Sequence, residues 1–180
     1  AEGPAVVFKW RNAEGWPVEY VSDNVADAFG YTPEELTSGN VPYAELIHDD
    51  DIDRAMREVE AASDADSERF THDPYRMVTK TGEVRWVTDN TKIIRTDGEI
   101  SHYLGYLIDI TEQKRLEHSL RESEQAVREL TSIGADTDRS FDEKLTALLE
   151  LGTETLDLPI GVLNRLDYNT QHVQQAVGNH

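Results

Sequence analysis

The sequence predicts an α+β domain in which a five-stranded antiparallel sheet carries helices on one face, followed by a coiled-coil-type helix and a further, partial α/β segment. Three observations predict it. Strand-patterned segments flank a helical middle instead of alternating with it, which is the order of an α+β fold. Asp97-Gly98 joins two long β-patterned runs and is a strong hairpin signal. The second of those runs leads through Asp109-Ile110-Thr111 straight into a charged helix with heptad-spaced apolar residues.

Val6-Val7-Phe8-Lys9-Trp10 and Val18-Glu19-Tyr20-Val21 alternate like strands, and Asn12 to Pro17 between them has hairpin-loop chemistry. Ser22-Asp23-Asn24 then offers caps to a short helix carrying Val25 and Phe29, which Gly30 closes. Thr32-Pro33-Glu34-Glu35 is a capping box with proline at the first helical position. After His48, the residues Asp49, Asp50 and Asp51 stand at the positive end of a helix whose stripe is Ile52, Ala55, Met56, Val59 and Ala62. Ala61 to Ser67 reads as a loop. Arg69 to Thr79 forms a third strand interrupted at Asp73-Pro74, and Lys80-Thr81-Gly82 turns into the fourth.

The fourth strand runs from Val84-Arg85-Trp86-Val87 to Ile93-Ile94-Arg95 and the fifth from Ile100 to Ile110. In the fifth, Tyr103, Gly105 and Leu107 alternate with Leu104, Tyr106, Ile108 and Ile110, so both faces are expected to be covered. Asp109 stands three residues before Glu112, a spacing suited to reciprocal capping. Leu116, Leu120, Ser123, Val127 and Leu130 then follow four-three spacing, the seam of a parallel pair of helices; the plainer alternative is a surface helix folded back on its own domain.

Composition narrows the function classes. The chain has 180 residues, 38% hydrophobic and 29% charged, which fits a water-soluble globular class. Its net charge of -19 is spread over the length, making nucleic acid a poor partner and resembling the surfaces of proteins from salt-loving organisms. No apolar run is long enough for a membrane span and the N-terminus lacks signal-peptide features, so membrane contact is not expected and a cytoplasmic location is. Cysteine is absent, which removes disulfides, thiolate catalysis and any cysteinyl chromophore.

The order of elements, with His48-Asp49-Asp50-Asp51, Gly82-Glu83-Val84-Arg85-Trp86-Val87, Gly105 and the terminal Asp109-Ile110-Thr111, resembles the PAS domain family with its C-terminal PAC motif, over about Val6 to Thr111. The resemblance implies a sensory domain over residues 1–110, with a pocket between sheet and helices. It implies a signalling helix over 111–132, with Asp109, Ile110 and Thr111 as the output junction. Adduct-forming flavin members need a cysteine, and haem-holding members place a histidine on the long helix; this chain has neither, and His48 matches a position just before that helix with a structural role.

Thr131 to Arg139 reads as a polar linker. Ser140-Phe141-Asp142-Glu143 is a second capping box, and Phe141, Leu145, Leu148, Leu149, Gly152 and Leu156 mark a helical face. Ile160 to Leu166 and His172 to Val177 read as a hairpin about Asp167 to Thr170. Residues 133–180 thus look like the opening of a GAF domain, too short to bury an independent core. The chain is read as a fragment of a longer protein with downstream signalling domains.

A ligand pocket is expected among Phe29, Ile47, Met56, Val59, Met77, Tyr103 and Leu107, since methionine and aromatic side chains adapt to irregular guests; plain core filling explains them as well. Helix capping and hydrated surface acid account for Asp49, Asp50, Asp51 and Asp53 better than a hard-cation site, because no glycine-turned ligand loop is present. His118 on the exit helix lacks the continuation of a phosphoacceptor and reads as solvated, while His72 and His102 read as ordinary polar strand positions. No nucleophile elbow, phosphate loop or zinc motif occurs.

The expected function is a non-catalytic sensory module that dimerises through Leu116, Leu120, Val127 and Leu130 and serves as the input of a sensor histidine kinase. The alternatives are the input region of a bacterio-opsin-activator-like transcription regulator and a redox or gas sensor holding noncovalent flavin or haem. The cofactor and the stimulus are left unassigned.

Overall fold

A computed structural model describes residues 4–167 and 170–178. The chain divides into two compact units, residues 1–115 and 116–180. The first contains β1 (Ala5–Arg11), β2 (Val18–Val21), α1 (Val25–Phe29), α2 (Pro33–Thr37), a 3₁₀ turn (Tyr43–Leu46), α3 (Asp49–Asp64), β3 (Arg69–Thr71), β4 (Tyr75–Val78), β5 (Val84–Thr96) and β6 (Glu99–Asp109).

The sheet order is β2-β1-β6-β5-β3, all antiparallel, with β4 also paired to β5. β3 and β4 are the two halves of the interrupted third strand: Asp73-Pro74 breaks the ladder, since proline has no N–H to donate, and the halves rejoin β5 on either side. The β5–β6 turn is Asp97-Gly98 with φ of 55° and 86°, the left-handed pair that a tight hairpin demands.

Period-two alternation sets the core. Val6, Phe8 and Trp10 on β1, Tyr103 and Leu107 on β6, and Val87 and Ile93 on β5 point inward against Val25, Phe29, Leu36, Tyr43, Leu46 and Ala55. Gly105 faces the same way because nothing larger fits. A Cβ there would lie 2.7 Å from Thr91 Oγ1 and 2.8 Å from the Trp10 ring, so the missing side chain lets the indole lie on the sheet. The opposite face differs from expectation. Leu104 and Tyr106 are exposed, because the helices of this unit gather on one side only.

Capping follows the sequence in part. Thr32 with Glu35 and Ser140 with Glu143 form complete capping boxes. Asn24, by contrast, makes no cap bond to α1; its amide donates to the Ala5 carbonyl and its oxygen accepts from Ser22, tying the helix entry to β1.

The second unit holds most of α4 (Thr111–Ala135), α5 (Phe141–Thr155), β7 (Ile160–Asp167) and β8 (Thr170–Gly178), the last two paired antiparallel. The expected linker from Thr131 is corrected: α4 continues to Ala135. The Asp136 N–H donates to the Ser132 carbonyl and Lys144 Nζ to the Gly134 carbonyl at 3.0 Å, so the last turn closes although Gly134 carries a propensity cost of ~1 kcal/mol. In this unit Phe141, Leu156, Leu158 and Ile160 are exposed, as expected of a helix and hairpin too small to enclose a core. Residues 168–169 of the expected hairpin loop lie outside the described residues.

Candidate functional site

The site grows from the inward face of β5, where the buried series Val87, Asp89, Thr91, Ile93 puts two polar residues among apolar ones. Asp89 is 2% exposed and takes one donor on each oxygen: Tyr75 donates to Oδ2 at 2.9 Å and Thr91 to Oδ1 at 2.8 Å. With the Tyr75 proton committed to Asp89, the Tyr43 hydroxyl 2.8 Å away donates to Tyr75. Desolvation raises the Asp89 carboxyl above the ordinary carboxylate range, although His72, Thr91 and Tyr75 pull the other way. Burial likewise pushes Tyr43 and Tyr75 well above the usual phenol range, so both remain neutral.

Beside this chain of hydroxyls is a cavity of about 30 Å³, room for one or two water-sized groups. Its walls are aromatic, with Trp10, Trp16, Tyr43, Phe70, Tyr75 and Tyr103, and His72, Asp89 and Thr91 supply its polarity. Trp10 is 4% exposed and its Nε1–H is buried with no hydrogen-bond acceptor. Phe8 stacks on Trp10 at 5.3 Å and Tyr43 meets it edge-on at 4.9 Å, which fixes the indole in place.

His72 is not an ordinary strand position. It continues the inward phase of Phe70 with its N–H on the Asp89 carbonyl, and it is buried, its Nδ1 lies 2.5 Å from Glu58 of α3, and its ring meets Phe70 and Tyr75 edge-on. Of the residues expected to form a pocket, Ile47, Val59 and Tyr103 do line this cavity. Phe29, Met77 and Leu107 are buried in the core away from its walls, and Met56 lies outside it, lining an adjoining surface groove with Val59 and Tyr103. It is 45% exposed, on the outer side of α3, where the period of 3.6 carries it past Ala55 and Val59 to solvent. Sequence reasoning missed Trp10, Tyr43, Tyr75 and Asp89; the one available signal was an acidic residue on the apolar phase of a strand.

The acidic cluster ahead of α3 has divided roles. His48 caps the helix by accepting from the Asp50 N–H. Asp51 is buried and takes the Arg76 N–H at 2.8 Å and Nε at 2.9 Å on one oxygen and Nη2 at 3.0 Å on the other, and these hydrogen bonds hold its carboxyl below the usual range. Among the described residues no three acids or histidines converge on a cation site.

The second feature is the junction where the sheet meets α4. The Ile110 N–H donates to the Trp86 carbonyl at 2.8 Å and the Trp86 N–H to Thr111 Oγ1 at 2.9 Å. Asp109 Oδ1 accepts from the Thr111 N–H, but its other oxygen meets Arg85 at 3.2 Å in place of the reciprocal capping expected with Glu112. Lys114 and Arg76 both lie over the Trp86 ring. Trp86 is three residues along β5 from Asp89, so cavity and junction share one strand. Beyond it, Leu116 and Leu120 are 64% and 61% exposed, and Val127 and Leu130 are exposed as well. No helix among the described residues is long and apolar enough to cross a membrane.

The family profile described as "PAS fold" matches residues 18–107. The methyl sulfide methyltransferase-associated sensor of Methanosarcina acetivorans is 40% identical over 153 residues, 84% of this chain and 15% of that protein. The bacterioopsin transcriptional activator of Halobacterium salinarum is 25% identical over 115 residues, 63% of this chain and 16% of its own length. This chain therefore spans a minor part of the relatives it matches. A crystal structure of a sensory box histidine kinase/response regulator from Burkholderia thailandensis is 27% identical with a TM-score of 0.56, covering 69% of this chain and 91% of the other. With its sheet order, its one-sided helical cover and these matches, the chain belongs to the PAS fold family.

Proposed function

We propose that this chain is a non-catalytic input module of a signalling protein, in which the state of the cavity beside Asp89 is relayed along β5 to α4. The observation that carries the reading is the shared strand: Asp89 lines the cavity, and Trp86, on the same strand, donates its N–H to the Thr111 side chain and accepts from the Ile110 N–H. A change in the cavity that shifts β5 changes the start of the exit helix.

The relay ends in a homodimer. Leu116, Leu120, Val127 and Leu130 are the seam, and their exposure in one chain supports a partner helix, which would remove them from water. The parent is a sensor histidine kinase, and the 40% identical relative, itself a sensor, supports that class of protein. The Halobacterium match favours one second reading, the input of a transcription activator. In either, residues 133–180 begin a GAF-like domain. Flavin or haem is disfavoured: sites for such ligands run to about 300–1,000 Å³, far above the cavity in this core.

Sedimentation of residues 1–180 tests the dimer. The wild-type chain is expected to sediment as a dimer, and Leu116→Asp with Leu120→Asp as a folded monomer. A wild-type monomer at high concentration in both low and high salt would remove the relay through paired helices.

A further inference from the structure

We infer that the cavity beside Trp10 and Asp89 takes a compact, uncharged molecule that carries a carbonyl or hydroxyl oxygen for Trp10 and an N–H or O–H for Asp89. The inference rests on the ligand-sensing reading above and specifies the chemistry of its ligand.

Among the described residues, the Trp10 Nε1–H is the one side-chain donor around the cavity that is buried without an acceptor. An indole N–H only donates, so the group that completes it must offer an oxygen or nitrogen lone pair. Asp89, which lines the same cavity, has taken one donor on each oxygen, from Tyr75 and Thr91, and a carboxylate has about four lone-pair sites, so it still accepts. The site thus asks for an acceptor at Trp10 and a donor at Asp89.

Either charge on the ligand leaves part of the site unmet. An anion would enter a buried space that already holds Asp89, with Glu58 behind His72. A cation is drawn to Asp89 but carries no lone pair to give Trp10, so it leaves that buried donor unmet. Size is restricted too: about 30 Å³ admits a few non-hydrogen atoms, and the stacked Phe8, Trp10 and Tyr43 rings leave little freedom to widen it.

Formamide, formate and formamidinium share a shape and differ in charge, and each is titrated into the whole 180-residue chain while the indole N–H signals are followed by NMR, assigned with Trp→Phe variants. Formamide is expected to shift the Trp10 signal saturably and to leave Trp86 unmoved, with formate and formamidinium at least tenfold weaker. Trp10→Phe should weaken formamide at least tenfold, read from Val59 methyl signals. Asp89→Asn should relax the exclusion of formate, which keeps the test decisive if Trp10→Phe does not fold. Equal or tighter binding of either ion overturns the uncharged class and leaves small-ligand sensing standing. Absence of a saturable shift with all three probes overturns both.

Discussion

The backbone N–H of Trp86 donates to the side-chain oxygen of Thr111 at 2.9 Å, so the first residue of the exit helix is held by the strand that also carries Asp89. The end of the β5–β6 ladder, which would otherwise leave a free donor, is closed by the helix it feeds. The junction is therefore a hydrogen-bonded hinge whose two sides are built by different parts of the chain.

Thr111→Val keeps the shape of the side chain and removes the acceptor, leaving the Trp86 amide unpaired in a half-buried place. The expected cost is about 1–3 kcal/mol. Hydrogen exchange at Trp86 should accelerate while the amides of β1 and β6 keep their protection; an unchanged Trp86 rate would show that the bond does not hold the junction.

Asp89→Asn is expected to raise the melting temperature at neutral pH. The folded-state carboxyl titrates above its unfolded value because burial disfavours its charge. Its contribution to stability is thus complete below the unfolded value near pH 4 and is lost as pH rises through the folded one. Asparagine does not titrate, so the gap between variant and wild type should widen from pH 4 toward pH 7 and close below it. Thermal melts across that range check the sign.

Asp51 behaves in the opposite sense. Its hydrogen bonds to Arg76 lower the folded-state value, so its stabilisation is present above the unfolded value near pH 4 and is lost as pH falls through the folded one. Asp51→Ala leaves Arg76 and its backbone N–H without this acceptor and should cost about 1.5–3 kcal/mol at pH 7, shrinking in acid. Urea unfolding at pH 7 and in strong acid measures the difference.

Gly105→Ala places a methyl 2.8 Å from the Trp10 ring and 2.7 Å from Thr91 Oγ1. Neither neighbour is the free end of a flexible chain, so the expected cost is about 1–3 kcal/mol. The Trp10 indole signal should shift with it, whereas Gly134→Ala, in open space on α4, should be neutral or stabilising. Denaturant midpoints of the two variants make the comparison.

Local chemistry determined much of this chain before any tertiary contact. Alternation wrote the strands, Asp97-Gly98 wrote the hairpin because two left-handed residues are needed in sequence, and Thr32 and Ser140 capped their helices within three residues. The heptad residues of α4 are likewise a property of spacing alone. What tertiary structure decided is how inward positions were used. Whether an inward residue fills the core or walls a cavity depends on what stands opposite, which is why Ile47, Val59 and Tyr103 line the space while Phe29, Met77 and Leu107 do not. His72 reached Glu58 only once α3 had packed on the sheet, and Asp89, whose bond to Thr91 is local to β5, met Tyr75 only once β4 and β5 were paired. Periodicity fixes a direction for each side chain, but distance between side chains far apart in sequence exists only after the chain has closed on itself.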